Sequence, residues 1–230
     1  QVRRARAAPR RRVWKLSPPP GRLILDLDAT LVTAHSEKEG AAGTYKRGFG
    51  FHPLLCFEAA TGEALAGILR PGNAGANTAK DHIEVLARAL AQLPPGTVNP
   101  GTLVRTDSAG ATHAFLEAVC GAGLSFSVGF DLTEPVREAV LALPETAWVA
   151  ARDAEGGVKD GAAVAELDLD LDKNGWPSGT RALVRRERPH PGAQLSFTDA
   201  NGYRFQVFIT NQKGGRLARL EQLHRARAAI

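Results

Sequence analysis

Apolar and polar positions alternate at short range through the first half of the chain and mark out a series of strands. Residues 22–32, with Leu23, Ile24, Leu25 and Leu27, predict a first strand that ends in acid. Residues 33–50 are polar and glycine-rich, and predict a connection carrying Glu37, Lys38, Glu39, Lys46 and Arg47. His52–Ala59 and Glu63–Arg70 predict two further strands joined by a turn at Thr61-Gly62. After the loop from Pro71 to Asn77, the pattern changes period. Ile83, Leu86, Ala87 and Leu90 recur at helical spacing, so Thr78–Leu93 predicts a helix capped by Asn77 or Thr78 and stopped by Pro94-Pro95-Gly96. Thr102–Thr106 predicts a strand running into Asp107, Gly110–Val119 a helix, and Leu124–Phe130 another strand. Strands interleaved with helices in this way predict an α/β layer arrangement.

The texture changes after Asp131, where Gly, Pro and Asp become frequent as far as Gly202. Ala163–Leu169, Arg181–Glu187 and Leu195–Thr198 predict strands in this stretch, Arg204–Thr210 predicts a further one, and Leu217, Leu220 and Leu223 place a helix from about Gly215. The expected organisation is therefore a basic N-terminal remnant and linker (1–21), a core (22–130), a β-rich insertion (131–203), and a return strand with the start of a final core helix (204–230). Residues 1–20 are rich in arginine and end in Pro18-Pro19-Pro20. They read as the tail of a basic helix and a stiff linker, either solvated or touching DNA.

Composition narrows the function classes. The chain has 230 residues, 43% hydrophobic and 23% charged, which suits a folded protein with a real core. Its net charge of +5 makes a polyanion such as nucleic acid a reasonable partner. Two cysteines, Cys56 and Cys120, exclude a disulfide framework and a four-cysteine zinc site, and fit a reducing cytoplasm. No apolar run approaches the ~20 residues of a membrane-spanning helix, and the basic N-terminus lacks the apolar segment of a signal peptide. Methionine is absent, and the last helix is still running at Ile230. The expectation is a fragment cut at both ends.

The candidate chemistry lies in Asp26-Leu27-Asp28-Ala29-Thr30. Side chains alternate along a strand, so Asp26 and Asp28 share one face. A carboxylate on a buried strand is costly unless it binds a metal, pairs with a charge or does chemistry. The run matches, letter for letter, the Asp-x-Asp-x-Thr signature of haloacid dehalogenase-type phosphatases, in which Asp26 would be the nucleophile and Asp28 the acid/base. That class requires a second acidic pair after an apolar strand. Asp168, Asp170 and Asp172 alternate along a polar stretch instead, and the three-strand meander does not suit a doubly wound sheet. The other class is a metal-dependent phosphodiester enzyme of the RNase H-like type, in which carboxylates from separate strands converge on two Mg²⁺ ions roughly 3.5–4 Å apart. Asp28 on the first strand and Asp107 at the tip of the fourth occupy the required places, although Asp107 alone also reads as a helix N-cap.

The runs Leu25 to Thr30, His35 to Ala42, Tyr45 to Gly50, Leu69 to Gly75, Arg105 to Gly110, Phe126 to Phe130 and Arg185 to Gly192 together resemble DDE transposases of bacterial insertion sequences. The resemblance spans nearly the whole chain. It implies an RNase H-like mixed sheet flanked by helices, with a β-rich insertion before the last helix. It also implies Mg²⁺-dependent cleavage at transposon ends and strand transfer into target DNA, with Mn²⁺ able to substitute. The implied partners are transposon-end and target DNA and a second copy of the chain, assembled as a homodimer on DNA in the bacterial cytoplasm. By position, Asp28 and Asp107 match the first two acids of the triad. The third should be a Glu just past Ile230, since Glu221 comes too early relative to Leu223-His224-Arg225-Ala226-Arg227. The resemblance thus implies a chain that performs no strand transfer by itself. The alternatives are a haloacid dehalogenase-type phosphatase using Asp26 and Asp28, and a relic that binds DNA without catalysis.

Lys46 and Arg47 beside the first acid, and Arg185, Arg186 and Arg188 in the insertion, are candidates for phosphate contacts, which are sequence-blind and salt-sensitive. Asp26 is expected to stand behind the acids or to pair with a nearby Lys or Arg. Asp170-Leu171-Asp172-Lys173-Asn174-Gly175 imitates the start of a calcium loop, but position twelve is Arg181 and Pro177 interrupts it, so it reads as a polar turn. Trp176 is expected to pack that turn. His35, His52, His82 and His113 show no metal-ligand spacing.

Overall fold

A computed structural model describes residues 2–19, 21–190, 192–194 and 199–229. The predicted strand Leu195–Thr198 lies outside the described residues. The chain resolves into two units, the first ending at Ser125 and the second covering Phe126–Ala229.

The first unit begins with helix α1 (Val2–Leu16) and strand β1 (Ile24–Ala29). Three short strands follow, β2 (Val32–Thr33), β3 (Ala42–Gly43) and β4 (Phe49–Phe51), which pair antiparallel in the order β2-β4-β3. This small sheet occupies the stretch predicted as a polar connection. Gly50 is required at its centre, because its φ of 156° and the close approach of the Val32 carbonyl leave no room for a Cβ. β5 (Leu54–Glu58), β6 (Glu63–Ile68), helix α2 (Ala79–Leu90), β7 (Leu103–Thr106) and helix α3 (His113–Gly121) complete the unit. Its main sheet runs β6-β5-β1-β7, with β5 antiparallel to both neighbours and β7 parallel to β1. The helix α2 buries His82, Val85, Leu86 and Ala89, an i, i+3, i+4, i+7 stripe turned away from the predicted one, of which only Leu86 is buried and Ala87 is exposed, and it packs against β5 and β6. All four residues of β7 are buried, as expected of an interior parallel strand.

The N-terminal residues are not a bare linker. Arg10 is 3% exposed and donates to Glu63 Oε1 at 2.7 and 2.9 Å and to the Gln92 carbonyl at 3.0 Å. Trp14 is buried as well. These contacts fasten α1 to the meander and to the segment just after α2, so Arg10 is a buried structural cation.

The second unit holds β8 (Ser125–Phe130), helix α4 (Glu134–Leu141), β9 (Val149–Arg152), β10 (Val158–Leu167), β11 (Arg181–Glu187), β12 (Asp199–Ala200), β13 (Tyr203–Thr210) and helix α5 (Leu217–Arg225). Its strands pair antiparallel in the order β8-β13-β11-β10-β9, with β12 against β13. Ala151, Ala162, Val164, Leu183, Phe208 and Leu220 form its core, with Leu217 packed against them. The stretch 131–203 is richer in helix than its composition predicts, because α4 precedes the strands. The architecture is mixed α/β, with a mixed sheet flanked by helices, in keeping with an RNase H-like fold.

Candidate active site

The two acids singled out in the sequence stand on neighbouring parallel strands. The register of β1 and β7 pairs Ile24 with Leu103, Leu25 with Val104 and Asp26 with Arg105. Continued for two more residues, the same register would bring Asp28 opposite Asp107. The backbone of Asp107 is extended (φ −71°, ψ −169°), which carries the strand's alternation one residue beyond β7. Asp28 and Asp107 therefore share the face on which Asp26 and Arg105 meet. Asp28 is exposed and Asp107 half-buried, so the face opens towards solvent at the strand tips.

Asp107 also caps the turn that follows it. Its Oδ1 accepts from the Ala109 N–H at 3.1 Å, and Gly110 N–H closes the turn on the Asp107 carbonyl at 3.2 Å. Residues 108–110 form this single tight turn, so α3 begins at His113 and not at Gly110. The N-cap and the functional readings of Asp107 are compatible, because the cap takes one oxygen of two.

Asp26 takes the pairing role. Arg105 Nε donates to its Oδ1 at 2.6 Å and Nη2 to its Oδ2 at 2.5 Å, and the two residues are 4% and 2% exposed. Both oxygens of Asp26 thus receive guanidinium hydrogen bonds in the interior, which disfavours Asp26 as a phosphatase nucleophile. The partner was legible in the spacing: Arg105 precedes Asp107 by two residues, as Asp26 precedes Asp28. Behind β1, burial pushes the Cys56 thiol up, reinforced by the Asp26 charge, so Cys56 is an inert core residue.

His82 lies in the helix facing this sheet and is 2% exposed. Its ring packs 5.2 Å from that of Phe115. Its Nδ1 lies 3.0 Å from the Thr78 carbonyl, which can only accept, so Nδ1 carries the proton. Burial holds its pKa below the ordinary 6.5, opposed by the Thr78 bond and by the charges of Asp107 and Asp81, and assisted by Arg70. The folded state thus favours neutral His82, while the unfolded chain binds a proton below about pH 6.5. This contribution to stability is complete above that pH and is lost as the pH falls towards the lowered folded value. Urea titrations between pH 7.5 and 5 should show stability falling with pH, and His82→Gln should flatten that slope. An unchanged slope in the variant would remove His82 as the cause.

The basic candidates separate into two groups. Lys46 and Arg47 are exposed on the turn between β3 and β4, where Arg47 adopts a φ of 61° and Lys46 lies 5.7 Å from the Tyr45 ring centre. They remain presentable to a phosphate. Arg185 does not: it is 4% exposed, bound to Glu221 at 3.0 Å and to Glu187 at 2.7 Å. Held by two carboxylates and buried, its guanidinium is poorly placed to reach a DNA phosphate. Arg186 is half-buried, ion-paired with Glu145, and packed against the rings of Trp148 (4.3 Å) and Tyr203 (4.9 Å). Its role here is structural too. Arg188 is exposed and lines a cleft of about 500 Å³ with Lys159, His190 and Arg204. Arg204 is paired with Asp199 and Lys159 with Glu187, so this cleft carries less unpaired charge than its residue types suggest.

Glu221 is 2% exposed and accepts from Arg185 at 3.0 Å and from Arg225 at 2.8 Å. Both bonds fall on Oε1, while Oε2 is buried without a hydrogen-bond partner. The calcium-loop imitation is a polar turn, with Asn174 bonded to the Asp170 carbonyl and Ser178 to Asp172, and Trp176 packs edge-on against Phe130 at 5.4 Å. Among the described residues, no group of three or more His, Cys, Asp or Glu is arranged to hold a metal, and no helix is long and apolar enough to cross a membrane.

A family model described as Transposase DDE domain group 1 matches residues 7–230. No curated protein sequence matches the chain. Among solved structures, the fold is similar to a piggyBac transposase determined by cryo-EM in a synaptic complex with hairpin DNA, at 10% identity and a TM-score of 0.47. The match covers 85% of this chain and 34% of that one, so the chain spans about a third of that protein's length.

Proposed function

The chain belongs to the group 1 DDE transposase family, and on that premise we propose that Asp28 and Asp107 are the first two acids of a Mg²⁺-dependent DNA-cleaving and strand-transferring site. One observation supports the proposal: Asp28 and Asp107 each follow by two residues the paired Asp26 and Arg105 of the adjacent parallel strands β1 and β7. Carboxylate oxygens suit Mg²⁺, and Mn²⁺ accepts the same donors. Asp107 retains Oδ2 beyond its cap, so the donor set fits a divalent cation as far as it goes. When bound, the ions would activate the attacking oxygen and stabilise the leaving one.

The substrate would be the phosphodiester at a transposon end, and then target DNA, with two copies of the chain assembled on DNA. Lys46 and Arg47, on their exposed turn, would contribute sequence-independent phosphate contacts, with Arg188 in the second unit. A third carboxylate would complete a triad of metal-binding acids.

The test is Mn²⁺ binding to the protein, followed by the loss of the free-ion paramagnetic resonance signal. Asp28→Asn and Asp107→Asn should each weaken binding by an order of magnitude or more, while leaving the circular dichroism spectrum unchanged. Equal Mn²⁺ binding by wild type and both variants would favour the reading as a DNA-binding relic.

A further inference from the structure

The buried pair behind the two acids has no catalytic task in this reading, yet its placement is specific. Asp26 and Arg105 are direct register partners, joined by a two-pronged contact with Nε and Nη2 on separate carboxylate oxygens. They occupy the step immediately before Asp28 and Asp107 on the same face. A buried ion pair is a poor stabiliser compared with apolar side chains of similar volume, because desolvation offsets much of the attraction. What such a pair can do better than apolar residues is fix geometry. A fork-to-fork contact admits only a narrow range of separations and orientations between the two strands. A one-residue slip of β7 against β1 would put Asp107 on the opposite face from Asp28, and a small shear would change the gap between the carboxylates.

We infer that Asp26 and Arg105 are positioning residues that set the separation of Asp28 and Asp107 by locking β1 to β7. The inference rests on the metal-binding reading of the two acids. It is distinct from fold stabilisation, since the pair acts on the alignment of two strand ends through one rigid contact. Lysine in place of arginine would keep the charge but lose the planar fork, and should not suffice.

The experiment is Mn²⁺ titration of the protein in parallel with thermal melting, for Asp26→Asn, Arg105→Lys and the apolar double variant Asp26→Leu/Arg105→Met, with Asp28→Asn alongside. Residues that orient metal ligands typically change metal affinity by 10–100-fold when altered. Each variant should therefore bind Mn²⁺ about tenfold or more weakly at a temperature where its circular dichroism matches that of wild type. The double variant decides between the two roles. If the pair positions the acids, the double variant should melt at or near the wild-type temperature and still bind Mn²⁺ weakly. Wild-type affinity in the folded double variant would overturn the inference, and so would wild-type affinity in Arg105→Lys. If Asp28→Asn leaves Mn²⁺ binding intact, the metal-binding reading itself fails, whatever the pair does.

Discussion

Glu221→Ala should destabilise the protein by about 3–5 kcal/mol, the usual cost of removing one partner from a buried charge cluster. Arg185 is 4% exposed and gains a hydrogen bond from its Nη1 to Glu221 Oε1, the same oxygen that accepts from Arg225 Nε. With the carboxylate removed, the Arg185 guanidinium keeps only Glu187, whose side chain is 39% exposed and so more strongly screened. Arg225 also donates to the Arg152 carbonyl at 2.5 Å, so the cluster joins α5 to β9 as well as to β11. Loss of Glu221 should therefore loosen the helix against the sheet. Urea denaturation followed by tryptophan fluorescence would measure it. Replacing Glu221 with Leu together with Arg185→Met should recover most of the loss, because no unpaired charge is then left inside. A Glu221→Ala variant within about 1 kcal/mol of wild type would show that water reaches the cluster freely.

The second large effect is expected at Gly110. A Cβ there would come within 3.0 Å of three atoms of the Thr106 side chain, which is fully buried at the end of β7. Thr106 cannot retreat easily, since its hydroxyl donates to the Asp107 carbonyl at 2.8 Å. The turn carrying Ala109 N–H, which caps Asp107, would have to move instead. Overpacking of this kind costs about 1–3 kcal/mol, and here it would also displace one of the two acids. Gly110→Ala should lower the melting temperature and weaken Mn²⁺ binding together. Gly121→Ala is the matching control: nothing lies within 4 Å of its Cβ, and it sits in the last turn of α3, where alanine is the better helix former. If both variants behave alike, the crowding at Thr106 is not the cause.

The acids were legible because two simple signals coincide at them. An apolar strand that ends in acid is visible from alternation alone, and the order of strands and helices put Asp28 and Asp107 at the ends of neighbouring strands. The failures have equally local causes. The strands β2, β3 and β4 are two or three residues long, too short for a period-2 signal. The first half of β10 was hidden because the pairing with β9 shifts register between Val158 and Ala163, and Gly161 adopts a φ of 68° there. Helix α4 was missed because it is only eight residues long, carries Pro135 in its first turn and buries just Val136 and Val140, which leaves a weak helical period. Among the arginines of β11, residue type could not reveal which face each side chain takes. Arg185 and Arg186 are adjacent, so alternation sends one to the Glu221 cluster and the other to Trp148 and Tyr203. Family resemblance marked the run but not the burial that removes Arg185 from the surface.

The N-terminal helix has a consequence for how copies of this protein treat one another. The strand β6 lies at the end of its sheet, and the outer backbone groups of such a strand invite pairing with any other extended chain. Arg6 donates to the Ala64 carbonyl on that strand at 2.6 Å, and Arg10 holds Glu63 beside it. The basic helix therefore occupies one backbone acceptor of this edge strand, at Ala64, where another chain could otherwise pair. Shortening the protein to Arg22 would uncover that acceptor and favour self-association, even with the acid-bearing face untouched.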